Sequence, residues 1–144
     1  MKLPKYVTIE EVKRICKELN FRDWTKLKNN KILSEEASVI LSNLNVGELE
    51  ISLKDFIQGL EVELEHGIQY SGANVTNNHP ILTGQIVLAH FHESLDYYKR
   101  LDVFEIEGDL LKAITKKNSN KLEFLYRKLI KARLILNQSE SNSL

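Results

Sequence analysis

The chain has 144 residues, 42% hydrophobic and 28% charged, which is long enough to bury one core and excludes a disordered or fibrous chain. Its 20 basic and 20 acidic residues cancel, so no whole-molecule field draws it to nucleic acid or anionic lipid, and any such binding is local. A lone Cys16 excludes an intramolecular disulfide, the start MKLPKYVTIEE lacks the apolar run of a signal peptide, and no apolar stretch approaches the roughly 20 residues that span a bilayer; together these predict a cytoplasmic protein away from membranes.

Thr8 followed by Glu11 is a capping-box pattern, and Ile9, Val12, Cys16 and Leu19 then recur at helical spacing, which predicts a first helix over about 9–19 with Cys16 on its apolar face. The polar connection NFRDWTKLKNNK follows, with Phe21 and Trp24 expected against the core. Ser34 opens a second helix whose Ala37, Ile40, Leu41 and Leu44 form one face. Ser52 and Asp55 resemble a further cap, for a helix that runs to His66 and stops at Gly67. After the turn-rich IQYSGANVTNN, Asn78 is expected as cap and Pro80 at the first helical position of a long helix over about 80–100. Two more helices are predicted over about 102–116 and 121–137. No stretch keeps the period of two that a half-buried strand needs. The reading is an all-α, single-domain bundle of five or six helices over residues 1–137, with a central antiparallel pair at about 53–66 and 80–100 and a frayed polar tail over 138–144.

Several uncommon words occur in order near the middle: VELEHG at 62–67, NVTN at 74–77, TG at 83–84, AH at 89–90, then Glu93 and DYY at 96–98. Over about residues 53–101 they resemble a family of small proteins of unknown function whose pattern runs VELEHG, TNVTNDDP, TGKIALAHL and E-x-PDYY-x-RL. LNFRDWTKL at 19–27 is similar to that family's LGIDW stretch. Two departures stand out. Asn78-His79 replaces the family's acidic pair, and Leu95 replaces the proline before DYY, which predicts that the 80–100 helix continues smoothly.

The same words carry the candidate site. Glu63 with His66, and His90 with Glu93, are each three residues apart, close enough on a helix to give two donors to one ion. Paired antiparallel, His66 comes level with His90 and Glu63 with Glu93. Two imidazoles with two carboxylates suit zinc, iron or manganese. Asp96 and Tyr97, one turn on, are candidates for an outer shell. Gly59 and Gly84 would allow a close helix approach. The alternative readings are a hydrogen-bonded network holding the 67–79 loop, or solvated faces. Glu61, Glu65, His79 and His92 are expected at the surface, and Cys16 as a core thiol. No nucleophile elbow or phosphate-cradling loop is present.

Charge is uneven along the chain. Residues 116–133 hold seven basic residues against Glu123 alone, and residues 48–66 hold six acidic residues against Lys54. A solvated helix face explains the basic run, while Lys121, Arg127, Lys128 and Lys131 with Phe124 and Tyr126 could instead meet an acidic protein or nucleic acid. Two functions follow: a small helical protein with a metal or buried polar site, or a non-catalytic interaction module such as a regulatory or virus-encoded adaptor.

Overall fold

A computed structural model describes residues 7–143. Among these residues are six α-helices and no strand: α1 (Ile9–Glu18), α2 (Ser34–Ser42), α3 (Leu53–Gln69), α4 (Pro80–Glu93), α5 (Tyr97–Thr115) and α6 (Ser119–Ser141). The all-α class and the helix count are as expected. Among the described residues, no helix is long and apolar enough to cross a membrane. The chain divides into two compact units, Met1–Glu93 and Ser94–Leu144.

In the first unit, local signals set the helix ends. Thr8 Oγ1 accepts the Glu11 N–H at 3.1 Å, and Ser52 Oγ accepts the Asp55 N–H at 3.0 Å, each satisfying an orphan donor at a helix start. The α1 chain reverses at Asn20, whose φ of 59° lets the Phe21 N–H reach the Cys16 carbonyl at 2.7 Å. Val12, Trp24, Ile40, Phe56, Leu60, Leu64 and Val87 then meet in a fully buried core drawn from α1 to α4 and the short turn Trp24–Lys26. Each such side chain contributes about 1.5–3 kcal/mol of burial. Cys16 lies at the edge of this core, and burial pushes its thiol pKa up.

The connection between α1 and α2 is moored by carboxylates. Glu36, in the first turn of α2, is only 4% exposed and accepts from the Arg22 backbone N–H at 3.1 Å, Nε at 3.1 Å and Nη2 at 2.7 Å. Burial pushes the Glu36 carboxyl up, but these bonds outweigh it and hold the group below its ordinary value. Glu61 of α3 accepts from the Ile32 N–H at 3.3 Å and from Lys31 Nζ at 2.9 Å, while Asn30 reaches the Glu61 carbonyl and Glu65. The expectation that Glu61 is solvated is therefore corrected, because exposed backbone donors of the connection needed acceptors and α3 provides one, while Glu65 is exposed as expected.

Three expected helix ends are also corrected. α3 passes through Gly67 to Gln69, because this glycine serves a close packing contact and not a stop. The predicted 80–100 helix ends at Glu93, and α5 starts afresh at Tyr97. The loss of the family's proline at Leu95 thus does not restore a continuous helix; at the restart the Asp96 carboxylate takes the Ser94 hydroxyl and, at 2.9 and 2.8 Å, Arg100 Nε and Nη2. α6 runs to Ser141, so residues 138–141 of the expected frayed tail are helical, with Glu140 held by Arg100 at 2.7 Å.

The second unit is a helical hairpin. α5 and α6 are joined at Lys117, whose φ of 53° lets the Asn118 N–H return to the Ala113 carbonyl. Ile106, Leu129 and Ala132 form its small core, with Val103 and Leu110 packed on it. Lys128–Asp102 and Arg133–Glu107 ion pairs cross between the helices.

Replacing Arg22 with alanine leaves the buried Glu36 carboxylate without its main partner, and the expected loss is about 2–3 kcal/mol in urea unfolding at neutral pH. Because the folded Glu36 pKa lies below its ordinary 4.5, this contribution is complete above that value and fades as pH falls through the lower folded one. A loss under about 0.5 kcal/mol would show that the half-exposed guanidinium contributes little.

Candidate functional site

Close packing brings α4 onto α3. Gly84 lies where a Cβ would stand 2.5 Å from Ile40 Cγ2, 3.2 Å from Leu44 Cδ1 and 3.5 Å from Phe56 Cζ, so only the absence of a side chain lets α4 sit so close to α2 and α3. Val87 is buried one turn further along, and His90 follows on the next.

This register brings His90 to Glu63. Glu63 Oε1 lies 3.6 Å from His90 Nε2, and Glu63 Oε2 lies 3.9 Å from His66 Nδ1. One carboxylate, its side chain 15% exposed, is thus flanked by two imidazoles, of which His90 is partly covered and His66 about half exposed. Glu93 is the last residue of α4 and is exposed. Among the described residues, no group of three or more His, Cys, Asp or Glu side chains stands ready to hold a metal ion. Asp96 and Tyr97 belong to the second unit, where Asp96 is engaged by Arg100 and Ser94, and Tyr97 packs edge-on against Tyr98 with ring centroids 5.2 Å apart. Arg100 and the Ser94 hydroxyl hold the Asp96 carboxyl below its ordinary value against the opposing effect of burial.

Glu63 and His66 open onto a cleft of about 220 Å³, walled further by Gly67, Tyr70, Ala73, Asn74 and Ile86. The loop that forms the far wall is held by asparagines. Asn74 Nδ2 donates to the Gly67 carbonyl at 3.1 Å and to Asn78 Oδ1 at 2.7 Å, and Asn74 Oδ1 accepts from the Thr76 hydroxyl and the Asn78 N–H. Asn77 Nδ2 donates to the Val7 carbonyl at 2.7 Å. Asn77 and Asn78 adopt φ of 49° and 59°, a left-handed conformation that asparagine tolerates better than most residues. A Cβ on Gly67 would stand 2.1 Å from Asn78 Oδ1, so VELEHG ends in glycine to admit this loop. A polar network holding 67–79 does exist, built from NVTNN and not from the Glu/His pairs.

His79 was missed. It is 8% exposed, not a surface residue, and it replaces Asn78 as the cap of α4: its Nδ1 accepts the Leu82 N–H at 3.3 Å, with Pro80 at the first helical position. A histidine before proline gave no familiar cap signal. Desolvation lowers its pKa below 6.5; nearby Glu11 opposes this and Arg14 adds to it.

Protonation would turn Nδ1 from acceptor to donor and remove the cap. With the folded pKa depressed, the His79 contribution is complete above about pH 6.5 and declines as pH falls from there toward the lower folded value. Replacing His79 with alanine should cost about 1 kcal/mol at pH 7.5 and less near pH 5.5, read from denaturant midpoints at the two values. An equal cost at both would rule out the neutral cap.

Comparison with curated proteins and with solved structures found no significant match. The family resemblance read from the central words does hold, and it extends well beyond them while leaving α6 outside. Residues 12–107 match the family described as "Protein of unknown function (DUF5661)", and the chain belongs to that family.

Proposed function

We propose that the first unit is a ligand-binding module in which Glu63, between His66 and His90, receives a small cation at the mouth of the cleft, a divalent zinc, iron or manganese ion being the ligand that would use both imidazoles. The observation that carries this reading is one mostly buried carboxylate with an imidazole at 3.6 Å and another at 3.9 Å. Those separations are long for hydrogen bonds and near the roughly 3.4 Å that divides two ligands of an ion bound tetrahedrally at about 2.1 Å. The groups do not form a complete ligand set as they stand, and a rotation of the half-exposed His66 side chain is the movement that binding would require. No catalytic step is assigned to these residues. The same reading places the protein in a reducing, intracellular setting, supported by its single buried thiol.

A second reading puts an acidic protein or nucleic acid on α6, supported by the exposure of Lys121, Arg127, Lys128 and Lys131. Arg127 is already paired with Glu123 and Lys128 with Asp102, which weakens that face as a phosphate binder and leaves the cleft the better supported site.

Titration calorimetry with zinc and manganese salts tests the proposal. One ion per chain is expected, lost alike in His66→Ala, His90→Ala and Glu63→Gln, with saturation at about a hundred times Kd raising stability by about 2.7 kcal/mol. Absence of binding to the wild-type chain, or binding unchanged in all three variants, would overturn it.

A further inference from the structure

The second unit leaves a large apolar surface uncovered. Phe104, Leu111 and Ile114 of α5 are 71, 65 and 58% exposed, and Tyr126, Ile130 and Leu134 of α6 are 58, 51 and 56% exposed. On α6 the three lie four residues apart, which makes one stripe, and on α5 Phe104 and Leu111 lie seven apart with Ile114 on the next turn. The Glu107–Arg133 ion pair shows that both stripes are on the same side of the hairpin, since Glu107 sits among the first set and Arg133 between Ile130 and Leu134. Lys128 and Asp102 mark the opposite side. The result is a two-helix layer with a thin core of Ile106, Leu129 and Ala132 beneath it and six large apolar side chains above.

We propose that this face is covered by the same face of a second copy of the chain, so that two hairpins form a four-helix layer around a two-fold axis. A face with one apolar stripe on each of two antiparallel helices is complementary to itself, as a two-fold interface requires. Its area suffices: six half-exposed side chains of this size present about 700 Å² per copy, close to the ~800 Å² per partner of a stable interface. Its charges also fit. Glu107 is matched by Arg133, Glu123 by Arg127 and Arg100 by Glu140, all within one hairpin, so a second copy brings no unmatched charge to the seam. The zero net charge of the chain adds no repulsion between copies. These pairs take up Arg127 and Arg133, which weakens the basic run as a surface for an anionic partner. The proposal is independent of the cleft at Glu63.

Sedimentation equilibrium of the full chain, over concentrations from about 1 to 100 µM, tests it. The wild type should show twice the monomer mass. Ile130→Glu should weaken the dimer about a hundredfold or more, because a carboxylate would enter the centre of the seam. Ile135→Glu alters an equally exposed residue that lies seven positions from Lys128, on the opposite side, and should leave the dimer intact. Circular dichroism of both variants should match the wild type, since both positions are about half exposed, and Leu111→Ser replaces Ile130→Glu should that variant fail to fold. A wild-type monomer across the range, a dimer that persists in Ile130→Glu and Leu111→Ser, or equal weakening by Ile135→Glu would each overturn the proposal. A monomer that binds anionic vesicles through these residues would assign the face to a lipid surface instead.

Discussion

The missing side chain at Gly84 is the constraint on which the first unit depends. Ile40 of α2 and Phe56 of α3 occupy the space a Cβ would need, so α4 is seated against both helices at once. That contact fixes how far along α3 each turn of α4 falls. Two turns after Gly84, His90 comes beside Glu63, and the same seating buries Val87 in the core. An alanine there would push α4 outward, with strain spread through a close-packed interior that has little room to adjust. The chemistry of the candidate site therefore rests on a packing event well away from it.

Polar groups do a second kind of work, fixing connections that carry little apolar surface. Glu36, Glu61 and the asparagines of NVTNN each accept or donate several hydrogen bonds to backbone or side chains that the helices leave unsatisfied. The 19–33 connection and the 70–79 loop are thereby ordered without large cores of their own. Gly67 links the two systems, because it lies on the α3 turn that carries His66 and admits Asn74 and Asn78 at its back. The wall of the cleft and one of its imidazoles are held by one local arrangement.

The second unit follows a different design. Its hairpin connection and cross-helix ion pairs are in place, yet its apolar residues outnumber those that two helices can bury between them. Helices with apolar residues on two sides bury the surplus only against further elements, which is why the surface of α5 and α6 reads as an interface. The family match ends at residue 107, within α5, so this surface belongs mostly to the part of the chain outside it.

The sequence by itself determined the helices and much of their punctuation, because those depend on neighbours a few residues away. Thr8, Ser52 and Pro80 act at the helix starts where they were read, and the apolar spacing of Val12 with Cys16 and of Phe56 with Leu60 gave the buried faces. It also picked out Glu63, His66 and His90, since VELEHG and AHFHE are unusual words. The tertiary structure decided what spacing cannot carry. Whether Gly67 ends a helix or admits a loop depends on Asn78 arriving from eleven positions on. His79 became a buried cap only because the fold closed over it, and His90 came beside Glu63 through the register set at Gly84. Periodicity tells which side of a helix is apolar, but the height at which two helices meet is fixed by side-chain volumes in contact, and those contacts form only when the chain has folded.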